Sequence, residues 1–108
     1  MQNFLPEYKP NIVLGGGVLQ LDPMAYGVTY QTEYVELAPR EFELLYLLAQ
    51  RPKWIIPKKN IYYSIWGMCH GEEVPLKTVE HVVWKIRKKM GSDIIETLIN
   101  VGYRLKRM

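Results

Sequence analysis

A chain of 108 residues and 12.7 kDa holds one compact domain and leaves no room for a catalytic cleft between two lobes. Apolar residues make up 48% and charged ones 23%, which excludes wholesale disorder; a single cysteine excludes an internal disulfide framework, and no run approaches the ~18 apolar residues of a membrane span. The net charge of +3 is uneven: residues 1–76 carry six basic and eight acidic groups, whereas residues 77–108 carry eight basic and three acidic, a local +5 that suits either a polyanionic partner or a merely solvated basic face. With no charged leader ahead of an apolar run, a reducing, cytoplasmic setting without a membrane is expected.

Residues 1–11 contain Pro6 and Pro10 and show no periodicity, so they read as a linker or frayed tail, and residues 12–108 as the folded domain. From Ile12 to Leu37, short apolar or β-branched runs are broken at Gly15-Gly16-Gly17, Asp22-Pro23, Gly27 and Gln31-Thr32-Glu33, which predicts four short antiparallel strands. The glycine triplet is a turn rather than a phosphate loop, because neither a Lys-Ser/Thr pair nor a helix start follows it.

A first helix is predicted over residues 39–51: Pro39 suits the first helical position, and Phe42, Leu45, Leu48 and Ala49 recur at helical spacing before Pro52. A second runs from near Pro57 through Ile61 and Ile65 to Trp66, with Gly67 placed to end it in a left-handed conformation. Residues 67–76, with two glycines, a proline and the adjacent Glu72 and Glu73, form an exposed loop.

The third helix, residues 77–90, carries the most information. Val79, Val82, Val83, Ile86 and Met90 fall within about 100° of one another and define a buried stripe ending at Gly91. Lys77, His81, Trp84 and Lys88 lie near the opposite pole, flanked by Thr78 and Lys85. A tryptophan beside several cations on a solvent face is an odd surface for an inert helix; the alternative is that Trp84 folds over a neighbouring sheet or wing. Ile94 to Leu98 and Tyr103 to Lys106 then read as a terminal hairpin, with Asn100 and Gly102 the residues best able to take positive φ in its turn, and Arg104, Lys106 and Arg107 giving it positive charge. A helix beside a cationic hairpin is a shape that fits duplex DNA, whose major groove of about 12 Å admits one helix.

Five separated motifs carry a likeness. Leu37-Ala38-Pro39-Arg40-Glu41-Phe42-Glu43-Leu44-Leu45, Ile65-Trp66-Gly67, Lys77-Thr78-Val79-Glu80, Ile86-Arg87-Lys88-Lys89-Met90-Gly91, and Ile95-Glu96-Thr97 with Gly102-Tyr103-Arg104-Leu105 together resemble the OmpR/PhoB-type winged-helix effector domain of two-component response regulators. The resemblance covers nearly everything after Pro10. It implies an α+β fold: a winged helix-turn-helix with a four-stranded N-terminal antiparallel sheet, three helices and a C-terminal β-hairpin wing. It further implies sequence-specific binding of double-stranded DNA for transcription regulation, as a tandem homodimer on direct-repeat half-sites.

By the same resemblance residues 77–90 are the recognition helix in the major groove, with Thr78, Glu80, His81 and Lys85 at base edges and Trp66, Lys77, Trp84, Arg87, Thr97 and Tyr103 on the DNA backbone. The cations Lys88 and Arg104 are expected on the backbone too. The loop bearing Glu72 and Glu73 corresponds to the segment that faces RNA polymerase in relatives, where the two acids either meet basic residues or, as is commoner for such loops, are simply solvated.

Several positions depart from the family pattern. Ile99 stands where many members place a minor-groove arginine, and Asn100 where glycine is common, so minor-groove reading does not carry over to this wing. Trp84 replaces a frequent arginine and Val82 a frequent histidine. Ala38 and Pro57 take the places of Ser or Thr helix caps, so both helix starts lack side-chain acceptors worth ~1 kcal/mol each. One rival reading is a winged-helix protein-interaction module using the Trp84 face. Another is a catalytic or metal site at Met68-Cys69-His70-Gly71-Glu72-Glu73, but adjacent Cys69 and His70 need not converge and lack spaced Cys/His partners. His81 has no nearby Ser, Cys or paired carboxylate to work with, so neither enzyme activity nor a cofactor is expected.

Overall fold

The structure, a computed structural model, describes residues 9–67 and 74–108. Four short strands, β1 (Ile12–Leu14), β2 (Leu19–Asp22), β3 (Gly27–Tyr30) and β4 (Glu33–Val35), pair antiparallel in chain order. Their alternation sorts the side chains into two faces. Leu19, Leu21, Val28 and Tyr30 point into the core, while the row Val13, Gln20, Thr29 and Tyr34, in register across all four strands, lies on the outer face.

Three helices follow, α1 (Pro39–Gln50), α2 (Lys58–Trp66) and α3 (Leu76–Met90), the last beginning one residue before the expected start; α1 packs against the sheet and the other two against α1. Phe42, Leu44, Leu45 and Leu48 of α1 meet Ile61 of α2 and Val79, Val83 and Ile86 of α3 in one core. The chain is anchored as early as Pro10, inside the stretch read as a tail, because its carbonyl accepts the Tyr46 hydroxyl at 2.7 Å.

The start of α1 lacks a capping side chain at Ala38, as expected. Ala38 has no capping oxygen, but its own N–H donates to Glu41 Oε1 at 2.9 Å, so half of a capping box survives through the third helical residue. That carboxylate is only 3% exposed and also accepts Lys89 Nζ of α3 at 2.8 Å. A cap contact thereby doubles as the polar tie between α1 and α3.

The chain ends in a hairpin of β5 (Ile95–Leu98) and β6 (Gly102–Leu105). Val101 N–H donates to the Leu98 carbonyl at 2.9 Å, and Asn100 takes φ +64°, as its side chain tolerates. Gly102, expected to share that role, has no positive φ. Its small size serves a different need: a Cβ there would stand 2.2 Å from the Ile56 carbonyl oxygen. Ile56 and Tyr103 exchange two backbone hydrogen bonds at 2.8 and 3.0 Å, pressing the hairpin onto the connection between α1 and α2.

Candidate nucleic-acid interface

The buried stripe of α3 packs as its spacing requires, with Val79, Val82, Val83, Ile86 and Met90 all in the core. Its opposite face is open. Lys77, Glu80, His81, Trp84, Lys85 and Lys88 are exposed and Thr78 is half-exposed, so the alternative that Trp84 folds over the sheet or wing is overturned. Trp84 is 54% exposed, its ring within 10° of parallel to that of His81 at a centroid distance of 5.8 Å, and the Lys88 ammonium stands 5.1 Å from the indole centroid. Arg87, Lys88 and Lys89 fill the last turn of α3, where the helix dipole favours cations.

Other residues singled out in the sequence are already engaged within the domain. Arg87 Nη2 donates to Thr97 Oγ1 at 2.8 Å and to the Ile95 carbonyl, and its guanidinium lies 5.8 Å from the Tyr103 ring centroid. This side chain holds β5 against α3. Tyr103 is buried at 4% exposure, which pushes its phenol above the ordinary range. On the wing, Arg104 makes two hydrogen bonds to Glu96 Oε1, at 3.0 and 2.8 Å. Trp66 stacks on Tyr62 at 5.2 Å under the Arg40 guanidinium, at the end of α2.

Lys58, on α2, escaped the sequence reading. Its Nζ donates to Glu80 Oε2 at 2.7 Å and lies 5.7 Å from the Tyr103 centroid, so one cation joins α2, α3 and the wing. The hydrogen bond raises the Lys58 amine and holds the Glu80 carboxyl below its usual range, keeping both charged at neutral pH. Its sequence neighbours give no periodic signal, and only the tertiary packing brings α2 across the start of α3. The pair is exposed and therefore cheap to open. Glu72 and Glu73, with Met68, Cys69 and His70, lie outside the described residues. Among the described residues, no group of three or more His, Cys, Asp or Glu is placed to hold a metal, and no helix is long and apolar enough to cross a membrane.

The family described as "Transcriptional regulatory protein, C terminal" matches residues 31–105, from β4 to the end of β6. The chain is 34% identical over 87 residues to the response regulator protein PmrA of Pseudomonas aeruginosa, a match covering 81% of this chain and 38% of that protein. It is 37% identical over 89 residues to the transcriptional regulatory protein QseB of Escherichia coli O157:H7, covering 82% and 40%. The chain thus spans about two fifths of the length of these curated relatives. Among solved structures, the DNA-binding domain of Klebsiella pneumoniae RstA, determined in complex with the RstA box, shares the fold with a TM-score of 0.77 at 23% identity, covering 91% of this chain and 98% of that one.

Proposed function

This chain belongs to the family of transcriptional regulatory protein C-terminal domains, the OmpR/PhoB-type winged helices, and on that footing we propose that it binds double-stranded DNA in a sequence-specific way. It acts as the effector domain of a cytoplasmic two-component response regulator. The observation that carries this reading is the open, cationic face of α3 standing beside a wing fixed to it by Arg87. That face enters the major groove, and the hairpin lies along the backbone.

Thr78, His81 and Lys85 face base edges, Lys85 donating to guanine O6 or N7. Glu80 accepts from cytosine N4 once Lys58 turns to a phosphate, an exchange whose cost is the small one of an exposed ion pair. Lys77 and Lys88 contact phosphates and set the register. The internal bonds of Arg87, Thr97, Tyr103 and Arg104 support a positioning role beside any phosphate contact, while Trp66 contributes at the end of α2. Two copies bind directly repeated half-sites as a tandem homodimer, each raising the effective concentration of the other.

Selection from a random duplex library at physiological salt tests the whole reading. On the selected site, Lys85→Ala should cost about 1–3 kcal/mol and relax one base preference, whereas Lys77→Ala should weaken all sequences alike and reduce the salt slope by about 1. Unchanged binding in both variants would overturn the assignment. The exposed Trp84 favours one second reading, a protein partner in place of DNA. A salt titration separates them: binding through an apolar surface survives ~0.5 M salt, and phosphate-driven binding does not.

The acidic loop meets RNA polymerase. Neutral Gln at both Glu72 and Glu73 should leave the DNA affinity intact and abolish activation in a reconstituted transcription assay; undiminished activation counts against that contact.

A further inference from the structure

We propose that Trp84 is a base reader that recognises the 5-methyl group of thymine, an inference resting on the DNA-binding reading above. Position is the first argument. Lys77, His81, Trp84 and Lys88 share the line of α3 opposite its buried stripe, so they project furthest from the core. A helix lying in a groove presents the middle of that line to the groove floor while its two ends pass the walls, so Lys77 and Lys88 reach the phosphates and His81 and Trp84 meet the base edges.

Chemistry is the second. Indole offers one N–H donor and no acceptor, which makes it a poor phosphate ligand beside the exposed ammonium groups of Lys77 and Lys88 on the same line. It offers instead a large apolar surface. The thymine methyl is the apolar feature of the major-groove edge, present on T and missing from A, G and C. The near-parallel His81 ring and the Lys88 ammonium brace the indole and limit its rotamers, so it meets the groove in a narrow range of orientations.

Replacing single thymines of the selected site with deoxyuridine removes a methyl and leaves every hydrogen-bonding group in place. For the unaltered protein, the affinity should fall about fourfold at one or two positions, the ~0.8 kcal/mol of one buried methyl-sized group converted at ~1.4 kcal/mol per tenfold. Trp84→Ala should bind more weakly and no longer distinguish T from U at those positions. Trp84→Phe, which keeps an apolar ring at that position, should retain part of the distinction between T and U. Binding that ignores the methyl at every position, or a T/U ratio unchanged by Trp84→Ala, overturns the proposal while leaving DNA binding intact. Failure to select any duplex removes the underlying reading instead. Far-UV spectra of both variants, matching the unaltered protein, keep misfolding out of the comparison.

Discussion

Gly102→Ala should lower the melting temperature by about 12 °C or more. The added Cβ would lie 2.2 Å from the Ile56 oxygen, 2.6 Å from its carbonyl carbon and 2.8 Å from Pro57 Cα, all backbone atoms that no rotamer change can move aside. Relief requires β6 to retreat, which stretches both hydrogen bonds between Ile56 and Tyr103 and opens the site where the Tyr103 ring is buried. Overpacking costs ~1–3 kcal/mol and each lost hydrogen bond about 1, so a loss of roughly 3–5 kcal/mol is expected. Against a total stability on the order of 5–15 kcal/mol that is severe, and at ~4–8 °C per kcal/mol it gives the shift stated. Asn100→Gly, two residues earlier, supplies the control: positive φ is easy for glycine, so the melting temperature should barely move. Equal behaviour of the two variants would show that the tight approach at Ile56 carries no cost.

Lys89→Met should destabilise the domain by about 1–2 kcal/mol at pH 7, with the loss shrinking in acid. Burial alone pushes the Glu41 carboxyl up, but the Lys89 ammonium and the Ala38 N–H outweigh it, and the net position is below the ordinary range. A carboxyl lowered on folding contributes stability that is complete above its unfolded value, ~4.3, and is lost as pH falls through the folded value. Removing Lys89 leaves the buried Glu41 carboxylate with the Ala38 N–H as its donor, a loss that water softens because the Lys89 end of the pair is exposed. Once protonated, the same carboxyl loses most of that penalty. Urea midpoints for the two proteins should therefore lie far apart at pH 7 and approach each other below about pH 4. A gap independent of pH would mean that Lys89 acts through packing of its stem rather than through charge.

The elements were legible wherever one short period governed the chain. Val79 to Met90 announced a helix with one buried stripe, and the breaks at Gly15, Asp22 and Gln31 separated the four strands, because both signals are local. The exposed Trp84 followed from the same periodicity. What stayed hidden depends on residues distant in sequence. Glu41 reads as an ordinary surface acid until Lys89, 48 residues away, closes over it, and Gly102 reads as a turn residue until Ile56 comes within a hydrogen bond of Tyr103. The engagement of Arg87 by Ile95 and Thr97 was equally invisible, since a cation on a helix facing solvent carries no mark of an internal partner. Sequence alone therefore outlined the candidate surface but not which of its side chains are free.

Arg87 has a geometric consequence. By gripping Ile95 and Thr97, it makes the third helix and the hairpin two jaws of one caliper, with a separation set by the protein and not by whatever lies between them. On a duplex, such a caliper measures distance as well as charge. One base pair inserted between the places its jaws touch should defeat both grips together, and Arg87→Ala should blunt that ruler before it weakens either jaw alone.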